Sequence, residues 1–171
     1  MTTPLDPAEL LRRLAGAGVD YVLIGGLAVN AHGVIRSTKD VDICPAPDPA
    51  NLGRLADLLR DLKVRQLGIG EGDLATAEMP FDPTRSDDLG AGGNFRLETA
   101  LGVLDIMQWI PGIEAEHAYP VLAADAEVAL AFGIKIRVCS LNALRTMKRA
   151  AGRPLDLQDL ADLEKAHPQN L

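Results

Sequence analysis

Two aspartates share one strand in K-D-V-D-I-C, Lys39 to Cys44, and no other segment limits the possible folds so strongly. Side chains alternate along a strand, so Asp40 and Asp42 project to one face while Val41 and Ile43 take the other. One face can join an apolar core. The other must meet water, a counter-charge or a cation, because a bare buried carboxylate is too costly. Two carboxylates this close also repel each other, the more so in low dielectric. Lys39 or Arg36 could offset them, which would make the pair a solvated strand edge.

The surrounding punctuation places that strand in a fold. Asp6 caps a first helix, Pro7 takes its first position, and Glu9 stands where a capping-box partner belongs. Leu10, Leu11 and Leu14 form its apolar stripe. D-Y-V-L-I-G then reads as a buried strand, G-L-A-V-N-A-H-G as a short helix, and K-D-V-D-I-C as the second strand. Asp48 and Pro49 start a helix running to about Leu62. Residues 68–93 read as a long irregular connection, with a strand near V-R-Q-L-G-I. N-F-R-L-E-T and L-G-V-L-D-I-M-Q form a hairpin, and A-E-V-A-L-A-F pairs with I-K-I-R-V-C-S around Gly133. Ser140 caps a helix to about Ala151, and Pro154 opens the last one. This order predicts an α+β fold: a small mixed, largely antiparallel sheet with helices packed mainly on one face. Residues 1–139 are expected to form the core, with 140–171 a helical segment packed on it, all in one compact domain.

Composition narrows the function classes. With 47% hydrophobic residues the chain can bury a core, and at 4% aromatic it has no stacking platform for single-stranded nucleic acid. A net charge of -7 argues against gripping a polyanion with the whole surface. From Ile134 onward, however, lysines and arginines outnumber acids, so a locally basic end can hold a nucleotide or a tRNA tip. Cys44 and Cys139 have neither metal-ligand nor redox spacing. The N-terminal stretch has no signal-peptide layout and no membrane-spanning apolar run, so the expectation is a cytoplasmic protein without membrane contact.

Gly25-Gly26 joins a strand to a helix, a turn whose amides suit a polyphosphate, although a tight turn with no ligand would also use glycine. Asp105 in G-V-L-D-I-M-Q is flanked by Leu104 and Ile106 and needs a partner as the strand pair does. That partner is either a base such as Arg96 on the neighbouring strand or a cation. Three acids on adjacent strands could hold two cations about 4 Å apart and steer an in-line phosphoryl displacement. Oxygen ligands select Mg²⁺ or Mn²⁺ over zinc.

The glycine pair, R-S-T-K-D-V-D-I and the isolated L-D-I strand together resemble the polymerase-β-like nucleotidyltransferase superfamily. Within it the chain is most similar to the small bacterial branch that contains the abortive-infection type E toxins. S-L-N-A-L-R-T-M-K-R-A-A-G-R-P-L-D-L-Q-D-L adds the same order of capped helix, lysine and Arg-x-x-Asp-x-x-Asp run. The resemblance implies a metal-dependent enzyme moving an NMP from an NTP to an acceptor hydroxyl. Asp40, Asp42 and Asp105 would bind Mg²⁺ or Mn²⁺ and form the catalytic set, with Asp105 helping to deprotonate the acceptor. Gly25 and Gly26 would cradle the triphosphate, Arg36 and Thr38 would sit near phosphate or hold the loop, and Lys148 would neutralise charge. Arg153, Asp156 and Asp159 would shape the nucleotide pocket or brace that lysine. The resemblance favours a tRNA 3′ end as acceptor and an antitoxin as partner, with a protein hydroxyl or an aminoglycoside-like small molecule open alternatives. Leu27 stands where many members carry serine, which favours a rival reading as a degenerate nucleotide-binding module. A glycosyltransferase using Asp-x-Asp is a weaker rival.

Overall fold

The structure is a computed structural model, and it describes residues 3–67 and 81–169. Seven strands form one sheet in the order β3-β4-β5-β2-β1-β7-β6. They are β1 (Tyr21–Ile24), β2 (Asp40–Pro45), β3 (Arg65–Gln66), β4 (Asn94–Thr99), β5 (Gly102–Met107), β6 (Glu127–Ala131) and β7 (Ile134–Val138). The helices are α1 (Pro7–Gly16), α2 (Gly25–Ala31), α3 (Pro49–Asp61), α4 (Ser86–Gly90), α5 (Ala118–Ala124), α6 (Leu141–Ala151) and α7 (Pro154–Ala166). β2–β5 and β1–β7 pair in parallel and the other strand pairs are antiparallel. The result is the mixed, largely antiparallel α+β sheet that the segment order predicts.

Register explains why the acids share a face. Asp42 lies opposite Asp105 on β5 and opposite Ile24 on β1, and Asp105 lies opposite Arg96 on β4. Directly opposed residues project together, so one face of the central strands carries Arg96, Asp105, Asp42 and Asp40. The other carries Val41, Ile43, Leu97, Leu104 and Ile106, all fully buried. That apolar face stabilises the sheet by area removed from water, and it fixes the acids' direction because a one-residue slip would bury them.

Helix starts follow their caps. Asp6 accepts from the Glu9 amide at 3.0 Å, Asp48 from the Asn51 amide at 2.9 Å, and Ser140 Oγ from the Ala143 amide at 3.0 Å. The Glu9 side chain pairs with Arg12 instead of completing a capping box. The structure departs from the sequence expectation mainly along the middle of the chain. The strand near V-R-Q-L-G-I is only Arg65–Gln66, residues 68–80 of the expected irregular connection lie outside the described residues, and residues 81–93 include α4. α5 also lies in a stretch with no expected element. Among the described residues, no helix is long and apolar enough to cross a membrane. Cys44 and Cys139 are buried free thiols, and burial pushes both up to about 12, so they behave as small apolar side chains.

Candidate functional site

The acidic face of β2 and β5 opens into a cleft of about 720 Å³. Carboxylate oxygens of Asp40, Asp42 and Asp105 lie within 4.8 Å of one another there. Asp40 and Asp42 are half-buried, and Asp105 is buried. Burial, then the charges of Asp40 and Asp105, hold the Asp42 carboxyl well above the ordinary carboxylate range, with the Lys148 charge opposing them. Burial likewise raises Asp105, to about 6, although Arg96 acts against the rise. Carboxyls so crowded that they resist ionisation form a site short of positive charge.

Arg96 supplies part of it. Its Nη1 donates to Asp105 Oδ2 at 2.7 Å and to Asp40 Oδ2 at 3.3 Å. The two sequence readings of Asp105 therefore hold together: it converges with Asp40 and Asp42, and it is ion-paired with Arg96. Asp42 makes no ion pair among the described residues.

Gly25 lies against Asp42, and Gly26 against the loop leading into β2, because both lack side chains. Gly25 has φ +70°, and a Cβ there would stand 2.0 Å from Asp42 Oδ2. A Cβ on Gly26 would stand 2.7 Å from Thr38 Oγ1 and 2.9 Å from Arg36 Nη2. Thr38 Oγ1 donates to the Asp40 carbonyl at 3.1 Å, and Asn30 Nδ2 donates to the Val34 and Arg36 carbonyls, which pins the loop into β2. Leu27, one position on, is half-buried and packs against the core.

A second polar cluster joins this loop to the two C-terminal helices. Asp159, fully buried on α7, receives Arg36 Nη2 at 3.0 Å and Lys148 Nζ at 2.8 Å. Arg36 Nε approaches Asp159 Oδ1 at 2.7 Å as an ion pair too bent for a hydrogen bond. Asp156 receives Lys148 Nζ at 3.2 Å and Arg153 Nε at 2.6 Å, and it also accepts from the Arg153 amide. Burial would raise Asp156, but hydrogen bonds from Arg153 and Lys148 outweigh it and leave its carboxyl below the usual range. Three cations here face two carboxylates, so one positive charge is left over. Arg36, Lys148, Arg153 and Asp156 line the cleft, whereas Asp159 braces from behind.

All the residues singled out in the sequence thus gather around one cleft. The sequence marks Arg96 only as an ion-pair partner for Asp105; its place on the cleft comes from its register opposite Asp105. No motif marks Asn30, which pins the loop, or the apolar lining of Met107, Ile110, Pro111, Leu144, Met147 and Leu155. They sit in stretches where an apolar residue reads equally well as core.

No protein-family model matches the chain, and no curated protein matches it in sequence. Solved structures do. The lincosamide antibiotic adenylyltransferase LnuA with lincomycin bound aligns at TM-score 0.62 and 17% identity, covering 96% of this chain and 99% of that chain. ANT(2'')-Ia in complex with adenylyl-2''-tobramycin aligns at TM-score 0.54 and 16% identity, covering 93% of this chain and 88% of that one. At such identities the likeness is one of architecture, and it extends over nearly the whole chain: the fold is the nucleotidyltransferase fold.

Proposed function

We propose that the protein is a metal-dependent nucleotidyltransferase that moves an NMP from an NTP to a hydroxyl of a small-molecule acceptor. One observation carries the reading: three carboxylates converge at a cleft that also has a surplus cation on its lining, within a nucleotidyltransferase fold. The donor set is all oxygen, and its raised carboxyl pKa values mark a shortage of positive charge, so the residues fit Mg²⁺ or Mn²⁺. Asp40, Asp42 and Asp105 would share the binding of divalent metal. When bound, it would neutralise phosphate charge and polarise the phosphoryl group under attack.

The protein's own groups do the rest by placement and charge. Gly25 and Gly26 leave backbone open to the triphosphate beside Asp42, while Lys148 and Arg153 lend it positive potential. Arg36 and Thr38 hold the loop that aims β2, and Asp156 and Asp159 fix Lys148. Asp105, the third carboxylate of the cluster, is suited to take the proton of the acceptor hydroxyl as its oxygen bonds to the α-phosphorus. The bond to pyrophosphate then breaks, and pyrophosphate leaves.

Two features favour a small acceptor over a tRNA end and an antitoxin partner. The structural neighbours are an adenylyltransferase of lincosamide antibiotics and a protein holding adenylyl-tobramycin. The net charge of -7 is also ill suited to a polyanion. The test incubates the protein with each labelled NTP, Mg²⁺, and separately an aminoglycoside panel, a lincosamide panel and total tRNA. Label should enter a small molecule and vanish with Asp42→Ala. Label in tRNA would restore the toxin-like acceptor. Nucleotide binding without transfer to any acceptor would favour the degenerate module that Leu27 suggests.

A further inference from the structure

We propose that Arg96 stands in the place of a second cation: the resting cleft takes one divalent ion on Asp40 and Asp42, and admits another only when Arg96 leaves Asp105. This rests on the nucleotidyltransferase reading above. A single nitrogen, Nη1, touches carboxylates from two different strands, Asp105 at 2.7 Å and Asp40 at 3.3 Å. A guanidinium and a metal ion cannot hold the same oxygen together, so a first ion would take Asp42 and the Asp40 oxygen that Arg96 does not hold. A guanidinium is not deprotonated in place in a protein, so the position it holds is vacated only by movement of the side chain.

Charge balance points the same way. Arg96 answers one of three carboxylates, and one divalent ion answers the other two, which leaves the trio neutral. Asp42, without an ion pair among the described residues, is the ligand left for that first ion. The arginine is held by register, opposite Asp105 on the antiparallel β4–β5 pair. Its side chain is nevertheless 42% exposed, so it can swing off the acids while its strand stays in place. From β4 it still borders the cleft and can turn its charge to an entering phosphate. Arg96, once turned to that phosphate, would leave the Asp105 and Asp40 oxygens it now holds free to take a second ion.

Mn²⁺ titration by calorimetry, with electron paramagnetic resonance counting free ion, tests this on wild type, Arg96→Ala and Arg96→Lys without nucleotide. Wild type should take one ion, with any second at least about tenfold weaker. Arg96→Ala should take two of similar affinity, and Arg96→Lys should behave as wild type. Circular dichroism checks the fold of each variant, and the melting temperature of Arg96→Ala should be low in chelator and recover with Mn²⁺. Two equal sites in wild type, or a single site in Arg96→Ala, would overturn the inference and leave the functional reading standing. No Mn²⁺ on any of the three would overturn both.

Discussion

Gly25 shows how little freedom individual positions have. With φ +70° and Asp42 Oδ2 2.0 Å from where a Cβ would be, Gly25→Ala must both strain the backbone and push the carboxylate aside. The expected cost is about 1–3 kcal/mol in urea unfolding, with the proposed transfer activity lost as Asp42 moves. A variant of unchanged stability would show that the turn relaxes at no cost. The acids give a second residue-scale prediction. Asp105 is raised from 3.8 to about 6 and Asp42 also lies well above the ordinary range, chiefly through burial. Between those pH values the folded protein keeps protons that the unfolded chain has released. Stability in chelator should therefore fall as pH rises from about 4 through about 6, the opposite of a carboxyl whose pKa is lowered by folding. Asp42→Asn removes one of the two unfavourable ionisations, so it should flatten that slope and unfold later than wild type at pH 7. If Asp42→Asn is no more stable than wild type at pH 7, the crowding argument fails.

At the scale of elements, the C-terminal helices are held to the β2 loop through Asp159. Its carboxylate, fully buried, meets both Arg36 and Lys148. Asp159→Ala leaves two cations facing each other without their shared anion, which should cost about 3–5 kcal/mol in chemical denaturation. Asp159→Asn keeps the shape and should cost less. Equal, negligible losses in both would mean that α7 is held by packing alone. The order of Lys148, Arg153, Asp156 and Asp159 was readable, but their pairing was not, because it depends on how α7 folds back on α6 and α6 packs on α2. The same limit explains which helices were legible. α1, α3 and α6 begin at side-chain caps that a sequence displays. α4 and α5 begin at Arg85 and His117, neither of which makes a cap hydrogen bond, and they span only 5 and 7 residues. Such short helices depend on tertiary packing; α2, equally short and uncapped, was readable because a glycine pair opens it directly after a strand.

Across the whole molecule, the site exists only because β2 lies between β1 and β5, which brings Gly25, Asp42 and Asp105 side by side from distant parts of the chain. Alternation in K-D-V-D-I-C could assign Asp40 and Asp42 to one face; nothing local could say that β5 would pair with β2 in parallel and in register. The unfolded chain therefore has no such cluster of carboxylates, and a divalent ion that binds it binds the folded state alone. Binding of that kind adds stability by mass action, about 2.7 kcal/mol when the free ion is a hundredfold above its dissociation constant. For a chain of this size that is a rise in melting temperature of roughly 5–10 °C. Mg²⁺ added to chelator-treated protein should produce such a rise, and EDTA should reverse it. The Asp40→Asn, Asp42→Asn double variant should start from a higher melting temperature than wild type in chelator and gain nothing from Mg²⁺. An equal gain in the double variant would place the ion elsewhere on this acidic surface, and the convergence of β2 and β5 would then need another explanation.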